Sequence, residues 1–181
     1  MKDVENLEFK KWLTGTLKPY GFRREKSNWY KYTDNTLVVL TIDKHPYCRG
    51  YLIDAGIEVY PEHHEKCPMA NELDMYDMFI FPAQRDLRSR AYQDSKHFVD
   101  YRERPQASEM HIDLDVLSDE QIIESMNFNI NKRLIPMLDI KKFKKIVASD
   151  IYFIQLGNAE KLPYYGVPED MIKKYNVYCN N

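Results

Sequence analysis

A chain of 181 residues, 44% hydrophobic and 30% charged, is long enough for one packed domain and too balanced for a disordered or collagen-like class. Its net charge of −2 gives no global field for nucleic acid or acidic membrane, and its apolar runs are far too short for a membrane helix. Cys48, Cys67 and Cys179 are odd in number, widely spaced and without a C-x-x-C pair, so they read as free thiols of a reducing compartment. The first six residues hold no apolar signal core, and the expectation is a soluble, cytoplasmic protein.

In chain order, Phe9, Leu13, Leu17 and Tyr20 recur at spacings of four and three, with Trp12 beside them. That spacing predicts a helix over 9–17 with one apolar stripe. Pro19 should stop it near Leu17, and Gly21 can turn the chain in a left-handed conformation.

Residues 28–32 and 37–42 read as a hairpin around Thr33-Asp34-Asn35-Thr36, where Asp and Asn tolerate positive φ. A two-residue loop would pair Tyr32 with Leu37, Tyr30 with Val39 and Trp29 with Leu40. Tyr30, Tyr32, Leu37 and Val39 would then share one face, and Trp29, Val38, Leu40 and Ile42 the other. Both faces are fairly apolar, so these strands should be covered on both sides or sit mid-sheet. Residues 51–60 alternate Tyr51, Ile53, Ala55, Ile57 and Val59 with more polar partners, as in a strand with one solvated face. The connections are too short for parallel crossovers, which implies an antiparallel meander.

Leu17-Lys18-Pro19-Tyr20-Gly21-Phe22-Arg23-Arg24, Trp29-Tyr30 and Ile53-Asp54-Ala55-Gly56-Ile57 together resemble the opening of the bacterial domain-of-unknown-function family numbered 4304. The resemblance covers about the first third of the chain and implies a helix followed by aromatic strands. That family carries no assigned activity, so the resemblance implies fold and not chemistry.

Further on, residues 61–71 read as a loop between prolines, and 75–81, 97–101 and 110–116 as strands. Ser118-Asp119-Glu120-Gln121 is a capping box, with Leu117 and Ile122 at the staple positions. Ile122, Met126, Ile130 and Leu134 continue it as a helical stripe that Pro136 ends or kinks. Asp139 can cap another helix, with Ile140, Phe143 and Val147 inward and Lys141, Lys142, Lys144 and Lys145 outward. A late strand at 151–156, a turn at Gly157-Asn158 and a short helix after Pro168, over 169–175, complete the chain.

Three constellations invite chemistry. His63, His64, Glu65 and Cys67 have a metal-like composition, but no second ligand pair lies at a familiar spacing, and a solvated loop is the plainer reading. Asp113 and Asp115 would point the same way on a strand, as a hydrolase needs, yet charged edge strands commonly look so. Arg85, Arg88, Arg90, Arg102 and Arg104, with Trp29 and Tyr30, could grip phosphates and stack bases, although Asp86, Asp94, Asp100 and Glu103 dilute the charge. Phosphate-loop, dinucleotide, nucleophile-elbow and H-E-x-x-H motifs are missing.

The reading is an α+β domain over 1–181, an antiparallel meander with helices packed on one face. It comprises an N-terminal helix and meander (1–116) and C-terminal helices (117–181). The expected function is non-catalytic binding of another protein, of an immunity or regulatory kind in a bacterium, without cofactor, metal or membrane. The tyrosine count of 14 suits such an interface. The alternative is a nucleic-acid-associated protein using residues 85–104, and the remotest a hydrolase using Asp113 and Asp115.

Overall fold

Helix α1 (Asp3–Leu17) lays Phe9, Leu13 and Leu17 into the core at the expected four-residue spacing. It ends where Pro19 enters a 3-10 turn (Lys18–Tyr20), and Gly21 closes the turn at φ 81°, its amide donating to the Lys18 carbonyl. This is the left-handed turn that the glycine was expected to make. Tyr20 departs from the stripe: the 3-10 turn rotates it away from the core, and it is exposed. The computed structural model describes residues 3–44, 50–61, 64–76, 111–113, 118–149, 155–156, 165–166 and 169.

Four strands follow as an antiparallel meander: β1 (Arg23–Glu25), β2 (Asn28–Tyr32), β3 (Thr36–Lys44) and β4 (Gly50–Val59). The β2–β3 register pairs Trp29 with Leu40, Tyr30 with Val39 and Tyr32 with Leu37, as alternation and a two-residue loop dictate. The loop itself differs from expectation. Asp34 and Asn35 do not use positive φ; instead the Thr33 hydroxyl accepts from the amides of Asn35 (3.3 Å) and Thr36 (3.0 Å). A side-chain oxygen thus supplies the acceptor that a left-handed turn would have made unnecessary.

Beyond β4 the edge is shared. Near its C-terminal end, Ile57 pairs with Met75 of β5 (Met75–Tyr76), which in turn pairs with β7 (Gln155–Leu156). At the other end, residues 50–52 pair with β6 (His111–Asp113). All these pairings are antiparallel, and with the helices they make an α+β architecture.

Helices cover one face of the sheet. Helix α2 (Asp119–Asn129) starts at the capping box: the Gln121 amide donates to Ser118 Oγ at 3.3 Å, and the Ser118 amide to the Gln121 side chain at 2.9 Å. Ile122, Met126, Ile130 and Leu134 are all buried. A π-turn (Ile130–Leu134) and a 3-10 turn (Pro136–Leu138) bring the chain to helix α3 (Ile140–Ser149). Pro136 has no amide to continue an α-helical ladder, which accounts for the break. The Asp139 carboxylate caps α3 through the amides of Lys141 (2.9 Å) and Lys142 (3.4 Å). Phe143 packs edge-on to buried Tyr165, whose hydroxyl donates to Asp74 at 2.6 Å.

The main core therefore joins α1, α2 and α3 to Trp29, Val38, Leu40, Ile42, Ile53 and Ile57 of the sheet. The opposite face holds a smaller cluster, Leu37, Val39 and Leu73, with Tyr30 and Cys67 packed against it. No helix among the described residues is long and apolar enough to cross a membrane. The expected strands at 77–81, 97–101 and 114–116, the staple residue Leu117, the start of the late strand, the turn at 157–158 and the final helix past Glu169 lie outside the described residues.

Candidate functional site

The second face of the sheet is closed by the segment 64–72, and four contacts seat it. His64 Nε2 donates to the Glu58 carboxylate at 2.9 Å. The Asn28 side-chain amide donates to the Pro68 carbonyl at 3.3 Å. The Ala70 amide donates to Thr41 Oγ1 at 2.8 Å in a buried setting. The fourth contact is steric: a Cβ on Gly56 would lie 2.5 Å from the Ala70 carbonyl oxygen, so only glycine lets the segment descend onto β4. That face of β4 was expected to be solvated, and this docking half-buries or buries it.

The segment covers the start of β2 at Asn28 and leaves an open cleft of about 610 Å³ over the rest of that strand. Its floor is Tyr30 and Tyr32 of β2, its outer rim Arg23 and Glu25 of β1. The strand turn adds Thr33 and Asp34, the end of β4 adds Tyr60 and Pro61, and the seated segment adds His64 to Cys67.

Each tyrosine is placed by a separate device. Tyr30 is half-buried against Leu37 and Val39, the cross-strand logic of β2–β3. The ring of Tyr32 stands at 85° to that of Tyr30, centroids 6.3 Å apart, and is 38% exposed. Burial raises the Tyr32 hydroxyl above its usual pKa, opposed by a hydrogen bond from the His64 backbone. Tyr60 is 55% exposed at φ 51°, a left-handed conformation that is costly for a bulky side chain. Its amide donates to the Asn35 carbonyl at 2.8 Å, which ties the end of β4 to the strand turn.

Cys67 is a free thiol that donates to the Pro68 carbonyl at 3.4 Å. Burial, reinforced by the nearby Glu25 carboxylate, pushes its pKa up to about 11, so it is protonated at neutral pH. The imidazole of His64 is engaged with Glu58 and not with this thiol. Among the described residues no group of three or more His, Cys, Asp or Glu could hold a metal ion; His63 lies outside them.

Of the two residues expected at a binding surface that fall among the described residues, Trp29 and Tyr30, only Tyr30 stands in the cleft. Trp29 is 1% exposed; its indole N–H donates to Thr14 Oγ1 of α1 at 3.0 Å, and the Arg24 guanidinium lies 5.0 Å over its ring. It is core, placed there by the alternation that sets it beside Val38 and Leu40. Arg85, Arg88, Arg90, Arg102, Arg104 and Asp115 lie outside the described residues, as does the side chain of Asp113. Sequence reasoning missed Tyr60, Asp34 and Glu25; the one available signal was that Tyr32 and Tyr30 share a face.

Comparison with models of protein families, with curated proteins and with solved structures found no match to this chain.

Proposed function

We propose that this chain is a non-catalytic binding module, of an immunity or regulatory kind in a bacterial cytoplasm, that holds a partner protein in the loop-side cleft. The observation that carries the reading is the set of three tyrosines, Tyr30, Tyr32 and Tyr60, lining one cleft at graded exposure. Tyrosine gives large, rigid contact area with a polar tip at low entropic cost, which suits protein recognition. The strained backbone at Tyr60 is a second support, because such conformations concentrate where a side chain is aimed at a ligand. The protonated thiol of Cys67 and the engaged imidazole of His64 favour binding over covalent chemistry.

The test is photo-crosslinking in the native cell, with a photoreactive residue at position 60 or, as control, at 123. Ile123 is 40% exposed on α2, among the helices over the other face. A discrete protein adduct is expected from position 60 and not from 123. Equal labelling at both, or none at 60, refutes the reading.

A further inference from the structure

The charges around the cleft are unevenly spread along its length, as the strand register shows. Arg23 pairs with Tyr30 and Glu25 with Asn28, so β1 flanks Asn28 and Tyr30 and stops short of Tyr32. Lys66 belongs to the Asn28 end, because the neighbouring Cys67 amide reaches the Glu25 carboxylate at 3.4 Å. At the other end stand Tyr32, Tyr60 and Asp34, with the Glu58 carboxylate behind His64. Glu58 is in register with Leu37, which is in register with Tyr32, so Glu58 lies two strands from the Tyr32 ring on the same row. The Tyr32–Tyr60 end of the cleft is therefore acidic; of the lining cations, Arg23 stands beside Tyr30 in the middle of the row and Lys66 at the far end, next to Glu25.

Two perpendicular rings make a corner in which a cation can meet one π-face and the wall of a second. A third ring and carboxylates nearby are the remaining parts of sites that take organic cations. Arginine suits such a corner better than lysine, since its planar guanidinium stacks on a ring and hydrogen-bonds a carboxylate together. We propose that the Tyr32–Tyr60 end of the cleft, walled on one side by Tyr30 and with Asp34 beside it, captures an arginine side chain of the partner protein. This inference rests on the binding-module reading and names the chemistry of the partner's anchoring residue.

The experiment is an NMR titration of the intact protein, its tyrosine rings isotopically labelled, with N-acetyl-arginine amide. The neutral near-isostere N-acetyl-citrulline amide is the comparison. Saturable shifts of Tyr30, Tyr32 and Tyr60 are expected with arginine, and binding about tenfold weaker with citrulline. Tyr60→Phe, which keeps the ring, should retain the response. Tyr60→Gly, which fits the left-handed backbone and keeps the fold, should lose it. Asp34→Asn should weaken it. Equal response to both amides, shifts away from these rings, or full response in Tyr60→Gly would overturn the inference. A crosslinked partner at position 60 with no arginine preference sinks this inference alone; absence of both sinks the binding-module reading as well.

Discussion

The two faces of one sheet are built in different ways. The helix face is a continuous apolar core in which Trp29, Leu40, Ile53 and Phe143 meet side chains from three helices. Among the described residues the loop face has a small apolar cluster of Leu37, Val39 and Leu73, with Ala70 buried over Gly56, and is otherwise held by single polar pins. Apolar burial is non-directional and leaves no room, whereas a pinned segment can stop where its pins stop. The cleft exists because the segment 64–72, pinned by His64 to Glu58, by Pro68 to Asn28 and by Ala70 to Thr41, touches the Tyr32 hydroxyl through the His64 backbone but leaves that residue 38% exposed. Stability is concentrated on one face, which leaves the other free to present side chains.

The largest expected effect tests the helix face. Trp29→Ala should cost about 3–5 kcal/mol, since it empties a filled core position and removes the N–H that Thr14 Oγ1 accepts from. Denaturant unfolding gives the number; a cost below about 1 kcal/mol would break the contrast between the faces.

Gly56→Ala probes the loop face. The added methyl would collide with the Ala70 backbone, a rigid neighbour, so a loss of about 1–3 kcal/mol is expected. The Ala70 amide should also exchange faster, because its bond to Thr41 must lengthen. An unchanged exchange rate would mean that the segment is not seated by this contact.

Ser118→Ala should cost about 1 kcal/mol by leaving a first-turn amide of α2 unpaired. Denaturation with no loss would argue that the cap does not hold the helix that brings Ile122 and Met126 to the core.

The smallest effect is one of pH. Cys67 has its folded pKa raised from 9.0 to about 11, so folding disfavours the thiolate. Its contribution to stability is intact below about pH 9 and is lost as pH rises through about 11. Burial raises Tyr165 and Tyr32 as well, so alkaline destabilisation is shared, and Cys67→Ser should reduce it only in part. At neutral pH, iodoacetamide should label Cys67 much more slowly than a free cysteine; fast labelling would contradict the seated geometry of its segment.

How much of this was legible in the sequence follows from the physics of each part. The β2–β3 register was readable because strict alternation leaves one pairing that buries both apolar sets. The caps at Ser118 and Asp139 were readable because they are local chemistry. Strand β1 was not: Arg23-Arg24-Glu25 shows no apolar alternation, and its turn uses Lys26 at φ 53° where a glycine would have signalled it. Trp29 and Tyr30 are adjacent aromatics in the sequence, but adjacent strand residues point to opposite faces, so one is core and the other lines the cleft. The cleft was illegible because its walls come from segments about forty residues apart, joined by contacts such as Asn28 to Pro68 that no local pattern encodes.

The central claim is that one face holds the fold and the other is for recognition. It is tested most directly by the Tyr32→Ala, Tyr60→Gly double variant, measured for unfolding free energy and for arginine binding on the same samples. Removing the Tyr60 strain recovers about 1 kcal/mol, which offsets the loss at half-exposed Tyr32. The account predicts stability within about 1 kcal/mol of the parent, far from the Trp29→Ala loss, with the arginine response abolished. A loss of stability as large as that of Trp29→Ala, with the arginine response intact, would contradict it.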